Sequence, residues 1–229
     1  MKFLSSLVFP FLLLVTIADC HESASRHPPF WEEIQNFKEA DSKSFPARNG
    51  VLFAGSSSFR LWTDLEAVFQ EYHAINRGFG GATLVDLNRY ADDVIFPYSP
   101  RQVVIYCGEN DLPADTVTAQ MLLGRFKTLL ATIRSRLPNE PIVYLSIKPS
   151  IARRRYIPLI RQCNHLIREY LKTQPNTTFV DVFSLLLTKE GRLRPELYRA
   201  DQLHLNMRGY EIWRMAIAPH LIRDSANVN

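Results

Sequence analysis

The chain predicts an α/β fold: a three-layer α/β/α sandwich around a sheet of about five parallel strands. Three observations carry this. Five short apolar runs punctuate the chain, helical patterns lie between them, and several runs end in clusters of Gly, Ser, Asn and Asp. A strand covered on both faces reads as an unbroken apolar run rather than an alternating one. Strands that alternate with helices make βαβ units, and such sheets bind ligands at the carboxyl edge of their strands. The 229 residues suffice for one domain of this kind with a real core.

The first of these runs, Val51–Ala54, is buried-strand material that leads into Gly55-Ser56-Ser57-Ser58. The second, Tyr72–Asn76, leads to the glycine-rich stretch Asn76-Arg77-Gly78-Phe79-Gly80-Gly81. The third, Gln102–Cys107, is rich in β-branched residues and ends at Gly108-Glu109-Asn110-Asp111. Pro141–Ile147 and Thr178–Val182 complete the set. Helical patterns cover Phe30–Ala40, Leu65–Gln70, Thr83–Ile95, Thr116–Leu137, Tyr156–Thr173 and Met207–Leu221. Right-handed crossovers distribute these helices over both faces, in a flavodoxin-like strand order.

Composition narrows the function classes. Apolar residues make up 46% and charged residues 22% of the chain, which is globular and not disordered. The net charge of +4 is too small and dispersed to indicate nucleic-acid binding. No spacing of Cys and His resembles a zinc site, so no metal is expected.

The amino terminus reads as a targeting segment. Lys2 precedes the apolar run Phe3–Ala18, the plan of a secretory signal peptide, shorter than the about 20 residues that span a bilayer. Residues 1–19 are therefore assigned as signal peptide, 20–29 as a polar tether and 30–229 as the folded domain, so the chain is expected to be exported, periplasmic or secreted. Two processing routes stay open. Thr16-Ile17-Ala18 suits a small-residue cleavage rule, and Ile17-Ala18-Asp19-Cys20 suits a lipoprotein box in which Cys20 is lipidated and anchors the protein at a membrane. Cys107 and Cys163 are either buried thiols or, in an oxidising compartment, a disulfide.

Four loops hold the chemistry. Ser57 lies at the end of the first strand, Gly81 in the glycine loop and Asn110 after the third strand. Asp201 precedes His204 by three residues, just before the last helix. A serine hydroxyl is a weak nucleophile that needs a base within hydrogen-bond reach. A histidine base in turn needs a carboxylate to fix its tautomer and stabilise its cation. The tetrahedral oxyanion of acyl transfer needs preorganised donors. Ser57, His204 and Asp201 supply the first set, and the N–H groups of Ser57 and Gly81 with the Asn110 amide supply the second. Ser56 and Ser58 read as turn or capping groups. The Gly-x-Ser-x-Gly elbow is absent, which excludes an ordinary α/β-hydrolase. Lys148 and Arg153-Arg154-Arg155 read either as a solvated basic surface or as cations near the cleft that favour an anionic ester.

The order Ser, Gly, Asn, His in these blocks resembles the SGNH, or GDSL-like, hydrolases. The blocks are Phe53-Ala54-Gly55-Ser56-Ser57-Ser58, Asn76–Gly81, Gly108-Glu109-Asn110-Asp111 and Asp201-Gln202-Leu203-His204. The likeness runs from about residue 30 to 222 and is strongest to a bacterial secreted branch with Gly-Ser-Ser-Ser at the nucleophile, akin to platelet-activating factor acetylhydrolase-like esterases. Position 56 departs from the family pattern, with Ser where Asp is commoner. The resemblance implies an SGNH-type sandwich, Ser57 as nucleophile, His204 as base, Asp201 as its orienter, and Gly81 and Asn110 as oxyanion donors, with no cofactor. The implied partner is a small ester, carbohydrate- or lipid-derived. The chain has no long apolar insertion to serve as a lid over bulk lipid. Two other readings share the same residues: an acyltransferase that passes the acyl group to another hydroxyl, and a ligand-binding relative without turnover.

Overall fold

The computed structural model describes residues 27–114 and 116–224. Residues 1–26, with the signal segment and Cys20, lie outside the described residues. Five strands form one all-parallel sheet: β1 Val51–Gly55, β2 Ile75–Gly78, β3 Gln102–Tyr106, β4 Ile142–Leu145 and β5 Thr177–Val180. Their order is β2-β1-β3-β4-β5. β1 pairs on one side with β2 (Gly55 beside Gly78) and on the other with β3 (Gly55 beside Tyr106), all in parallel register. The order reverses at β1, so the carboxyl ends of β1, β2 and β3 open into one crevice, where such sheets bind ligands.

Each face of the sheet has its own core, because alternate residues of a strand point to opposite sides. Leu52, Ala54, Val103, Ile105, Ile142 and Tyr144 pack under the helices Trp31–Lys43, Ala119–Arg136 and Ile157–Leu171. Val51, Phe53, Val104, Tyr106, Val143 and Leu145 face the Met207–Ile217 helix and the aromatic residues Phe59, Trp62, Phe69, Tyr210 and Trp213. Ser57 sits at the lip of this second, aromatic layer.

The structure adjusts several element boundaries. The second strand begins at Ile75, not Tyr72, because Gln70–Tyr72 close a 3-10 turn and His73 is left-handed at φ 49°. The apolar residues that suggested an earlier start pack as a turn instead. Asn76, Arg77 and Gly78 accordingly belong to the strand rather than to a loop. Thr83–Ile95 is two short helices, Leu84–Arg89 and Ala91–Val94, separated at Tyr90. The first is fixed by a reciprocal cap in which Thr83 accepts from the Asp86 N–H and Asp86 accepts from the Thr83 N–H. Cys107 and Cys163 are free, buried thiols and do not form the disulfide. Burial pushes the Cys163 thiol up to about 12, so both behave as small apolar groups. Among the described residues no helix is long and apolar enough to cross a membrane.

Candidate active site

β1 ends where the chain must turn immediately. Gly55 lies so close to β3 that a Cβ there would stand 2.0 Å from the Tyr106 carbonyl oxygen, so only glycine fits. Ser56 still donates its N–H to Tyr106 O at 3.0 Å. Ser57 then opens the four-residue helix Ser57–Arg60. The Ser56 side chain makes no cap hydrogen bond, so of the two readings, turn or capping group, the structure leaves the turn. The turn is held from outside instead: Tyr210 donates its hydroxyl to Ser58 O at 2.8 Å, and the Asn76 amide donates to Phe59 O at 2.8 Å.

Ser57 Oγ lies 3.0 Å from His204 Nε2, and His204 Nδ1 lies 2.7 Å from Asp201 Oδ2. The loop that presents the histidine is built by Asp201. Its other oxygen, Oδ1, accepts the N–H groups of Leu203 and His204, each at 2.9 Å, an Asx-type turn that fixes ring and carboxylate together. Gln202 takes the left-handed conformation at φ 56° that this reversal requires. On the far side buried Leu205 anchors the loop, and Asn206 caps the last helix by accepting the Gly209 N–H. Burial acts to raise the Asp201 pKa, but the bonds from the His204 ring and from the two N–H groups outweigh it and hold the carboxyl down at about 2. A carboxylate held ionised is what an imidazole base needs beside Nδ1.

The candidate oxyanion donors lie on the turns that follow β1, β2 and β3. Gly81 has φ +78°, a conformation that favours glycine. Gly80 donates its N–H to the Glu33 carboxylate at 3.1 Å, whereas among the described residues nothing accepts the N–H of Gly81 or of Ser57. The Asn110 Nδ2 donates to Ala82 O at 3.1 Å, which holds the amide one residue from Gly81 and leaves its second N–H available. The sequence-predicted residues are therefore brought together: Ser57, His204 and Asp201 in one hydrogen-bonded chain, and Gly81 and Asn110 joined through Ala82.

Other residues of the same motifs have structural duties. Arg77 is buried and donates to Tyr98 Oη and Asp41 Oδ1, both at 2.5 Å, tying β2 to the first helix. Asp111 accepts the Leu84 N–H at 3.0 Å and pairs with Arg125 at 2.8 Å. Lys148 and Arg153 are not the solvated surface that the basic run also suggested; they lie beside Asn110, near the candidate site. The Lys148 ammonium is fully buried, 2.7 Å from each oxygen of Glu109, and Arg153 reaches Asn110 Oδ1 at 2.8 Å. Both are engaged by Glu109 and Asn110 rather than by solvent alone, whereas Arg154 and Arg155 are exposed. Sequence reasoning missed Glu109 as their partner, although an acidic residue beside Asn110 and a lysine at the end of a buried strand were visible signals. A cavity of about 550 Å³ between Ile151, Ile157, Leu193 and Pro195 meets the site only through Gln202 and is lined by none of Ser57, Gly81, Asn110 or His204.

Comparison with known proteins agrees with this architecture. A protein named for platelet activating factor from Streptococcus pneumonia superposes with a TM-score of 0.72 at 24% identity, over 83% of this chain and 92% of its own. A GDSL-like lipase from Bacteroides thetaiotaomicron gives 0.67 at 22% identity, over 82% and 96%. An acetyl-xylooligosaccharide esterase from Geobacillus gives 0.60 at 17% identity, over 78% and 96%. At these identities the likeness shows the shared fold. No curated protein sequence matches the chain. The model of the GDSL-like lipase/acylhydrolase family matches residues 47–212, a span that holds all five candidate site residues. With most of its length matched, the chain belongs to the GDSL-like lipase/acylhydrolase family and is a carboxylic ester hydrolase.

Proposed function

We propose that the domain spanning residues 30–229 is a serine esterase that hydrolyses short-chain carboxylic esters, acetyl esters of carbohydrates or small lipid-type esters, through an acyl-enzyme on Ser57. The observation that carries this reading is the unbroken hydrogen-bond chain from Asp201 through His204 to Ser57, at 2.7 and 3.0 Å. Ser57 Oγ attacks the ester carbonyl while His204 Nε2 takes its proton. Asp201 holds the Nδ1–H and offsets the charge of the imidazolium. The carbonyl oxygen becomes an oxyanion held by the N–H groups of Ser57 and Gly81 and by the free N–H of Asn110. His204 then gives its proton to the departing alcohol. A water activated by the same nitrogen releases the acid and returns Ser57 to its starting state.

A small acyl group is supported by Phe30, whose ring packs on Phe79 with centroids 5.4 Å apart. That ring stands 3.6 Å from where a Cβ on Gly81 would be, so bulk is already present beside one of the proposed donors. The acetyl-xylooligosaccharide esterase among the structural neighbours adds support for an acetyl ester. The apolar amino-terminal run supports export, periplasmic or secreted. Turnover of a panel of p-nitrophenyl esters from acetyl to octanoyl, with sugar acetates alongside, tests the reading. Acetyl esters are expected to give the highest kcat/KM. A maximum at octanoyl would overturn the short-chain assignment, and diversion of most of the acyl group to added alcohols would favour acyl transfer.

A further inference from the structure

Behind the site lies a buried ionic cluster that the mechanism above does not use. Glu109 has a side chain only 5% exposed, and it accepts from the Lys148 ammonium at both oxygens and from the Tyr106 hydroxyl at 2.8 Å. Arg153 approaches the same carboxylate at 3.6 Å and donates to the Glu109 carbonyl at 2.7 Å. Its other guanidinium nitrogen donates to Asn110 Oδ1 at 2.8 Å. Two cations face one carboxylate, so the cluster has a net positive charge next to the Asn110 amide.

An asparagine amide can present either its oxygen or its nitrogen to a given side. Arginine has only donors, so Arg153 forces Oδ1 toward itself and turns the amide nitrogen away, where Ala82 O receives one of its N–H groups. The flipped amide would set N–H against N–H and lose a charge-assisted bond. The guanidinium also draws electron density from the carbonyl, making the remaining N–H a better donor. The same loop braces the base, because the N–H groups of Ile151 and Ala152 both donate to Gln202 O at 3.1 Å.

We propose that Arg153, held by the Glu109–Lys148 pair, is a positioning residue that orients and polarises the Asn110 amide for the oxyanion. The proposal rests on the reading of Ser57 as nucleophile and Asn110 as oxyanion donor. Its test is a double-mutant cycle of Arg153→Met and Asn110→Ala on p-nitrophenyl acetate hydrolysis, with Ser57→Ala in the same series and thermal melts on every variant. Arg153→Met is expected to lower kcat about tenfold to a hundredfold with little change in KM, as a misplaced donor does. In the Asn110→Ala background the same change should cost less than about twofold, because nothing is left to orient. A purely structural role would give equal losses in both backgrounds, and that result, or a wild-type kcat in Arg153→Met, overturns the proposal. If Arg153→Met does not fold, the cycle is run with Arg153→Lys, which keeps the charge but not the fork, with the same non-additivity expected and the same outcomes deciding. An Asn110→Ala variant with wild-type kcat overturns it too. Undiminished turnover in Ser57→Ala marks failure of the underlying esterase reading instead.

Discussion

His204 Nε2 stands 3.0 Å from Ser57 Oγ although 147 residues separate the two in the chain. Serine is delivered by the carboxyl end of β1, and histidine by a loop that Asp201 folds from within. Removing that carboxylate should leave the scaffold intact and disable the base. Asp201→Asn is expected to lower kcat by roughly 10²- to 10⁴-fold, from loss of the correct tautomer and of the charge beside it. Steady-state kinetics on p-nitrophenyl acetate, with a melting curve to show that the variant is folded, check this.

The same carboxylate should leave a mark on stability. Its pKa falls from the ordinary 3.8 to about 2 on folding. A group whose pKa is lowered by folding stabilises the native state above its unfolded pKa and loses that contribution as pH falls toward the folded value. Wild type should therefore lose stability between about pH 4 and 2 in part through Asp201, and Asp201→Asn should show a shallower slope over that window. Denaturant midpoints at a series of pH values measure it. The carboxylate is half exposed, so the difference is expected to be small.

Two glycines should fail in different ways. A Cβ at Gly55 meets the Tyr106 carbonyl oxygen at 2.0 Å, so Gly55→Ala must separate β1 from β3, destabilising the fold by about 1–3 kcal/mol or more. Gly81→Ala meets only the Phe30 ring at ordinary contact distance, but its φ of +78° strains any other residue by about 1–2 kcal/mol. It should fold, with kcat reduced about tenfold or more as the N–H shifts. Melting temperatures and kcat measured together separate the two.

Lys148 should matter for folding more than the exposed arginines of the basic run. Burial pushes its ammonium pKa down while Glu109 opposes the shift. Lys148→Met leaves a buried carboxylate with a weakened counter-charge and is expected to cost about 3–5 kcal/mol. Lys148→Met with Glu109→Gln should recover part of that. Arg154→Ala, at an exposed position, should stay within about 0.5 kcal/mol of wild type. Urea unfolding of the three variants checks the ranking.

How far the sequence reveals all this differs from residue to residue. The strands were legible because both faces of β1, β3 and β4 are covered, so their apolar runs are unbroken. The groups at Ser57, Gly81, Asn110, Asp201 and His204 were legible because each closes or follows an element at the same edge of the sheet, where their residue types are chemically unusual. The start of β2 was not, since Tyr72 is buried in a turn as thoroughly as it would be in a strand. Nor were the duties of Lys148 and Arg153, since their partners Glu109 and Asn110 lie 39 and 43 residues away. A charge run looks the same in sequence whether it meets water or a buried carboxylate.

The covalent step is the centre of the account, and it can be observed directly. Wild-type protein and Ser57→Ala are quenched during turnover of p-nitrophenyl acetate, digested and examined by mass spectrometry. One acetyl group is expected on the peptide that contains Ser57, absent from Ser57→Ala, together with a fall in turnover of about 10³-fold or more in the variant. An acetyl group on another residue, or Ser57→Ala turning over at the wild-type rate, would contradict the assignment of Ser57 as the nucleophile.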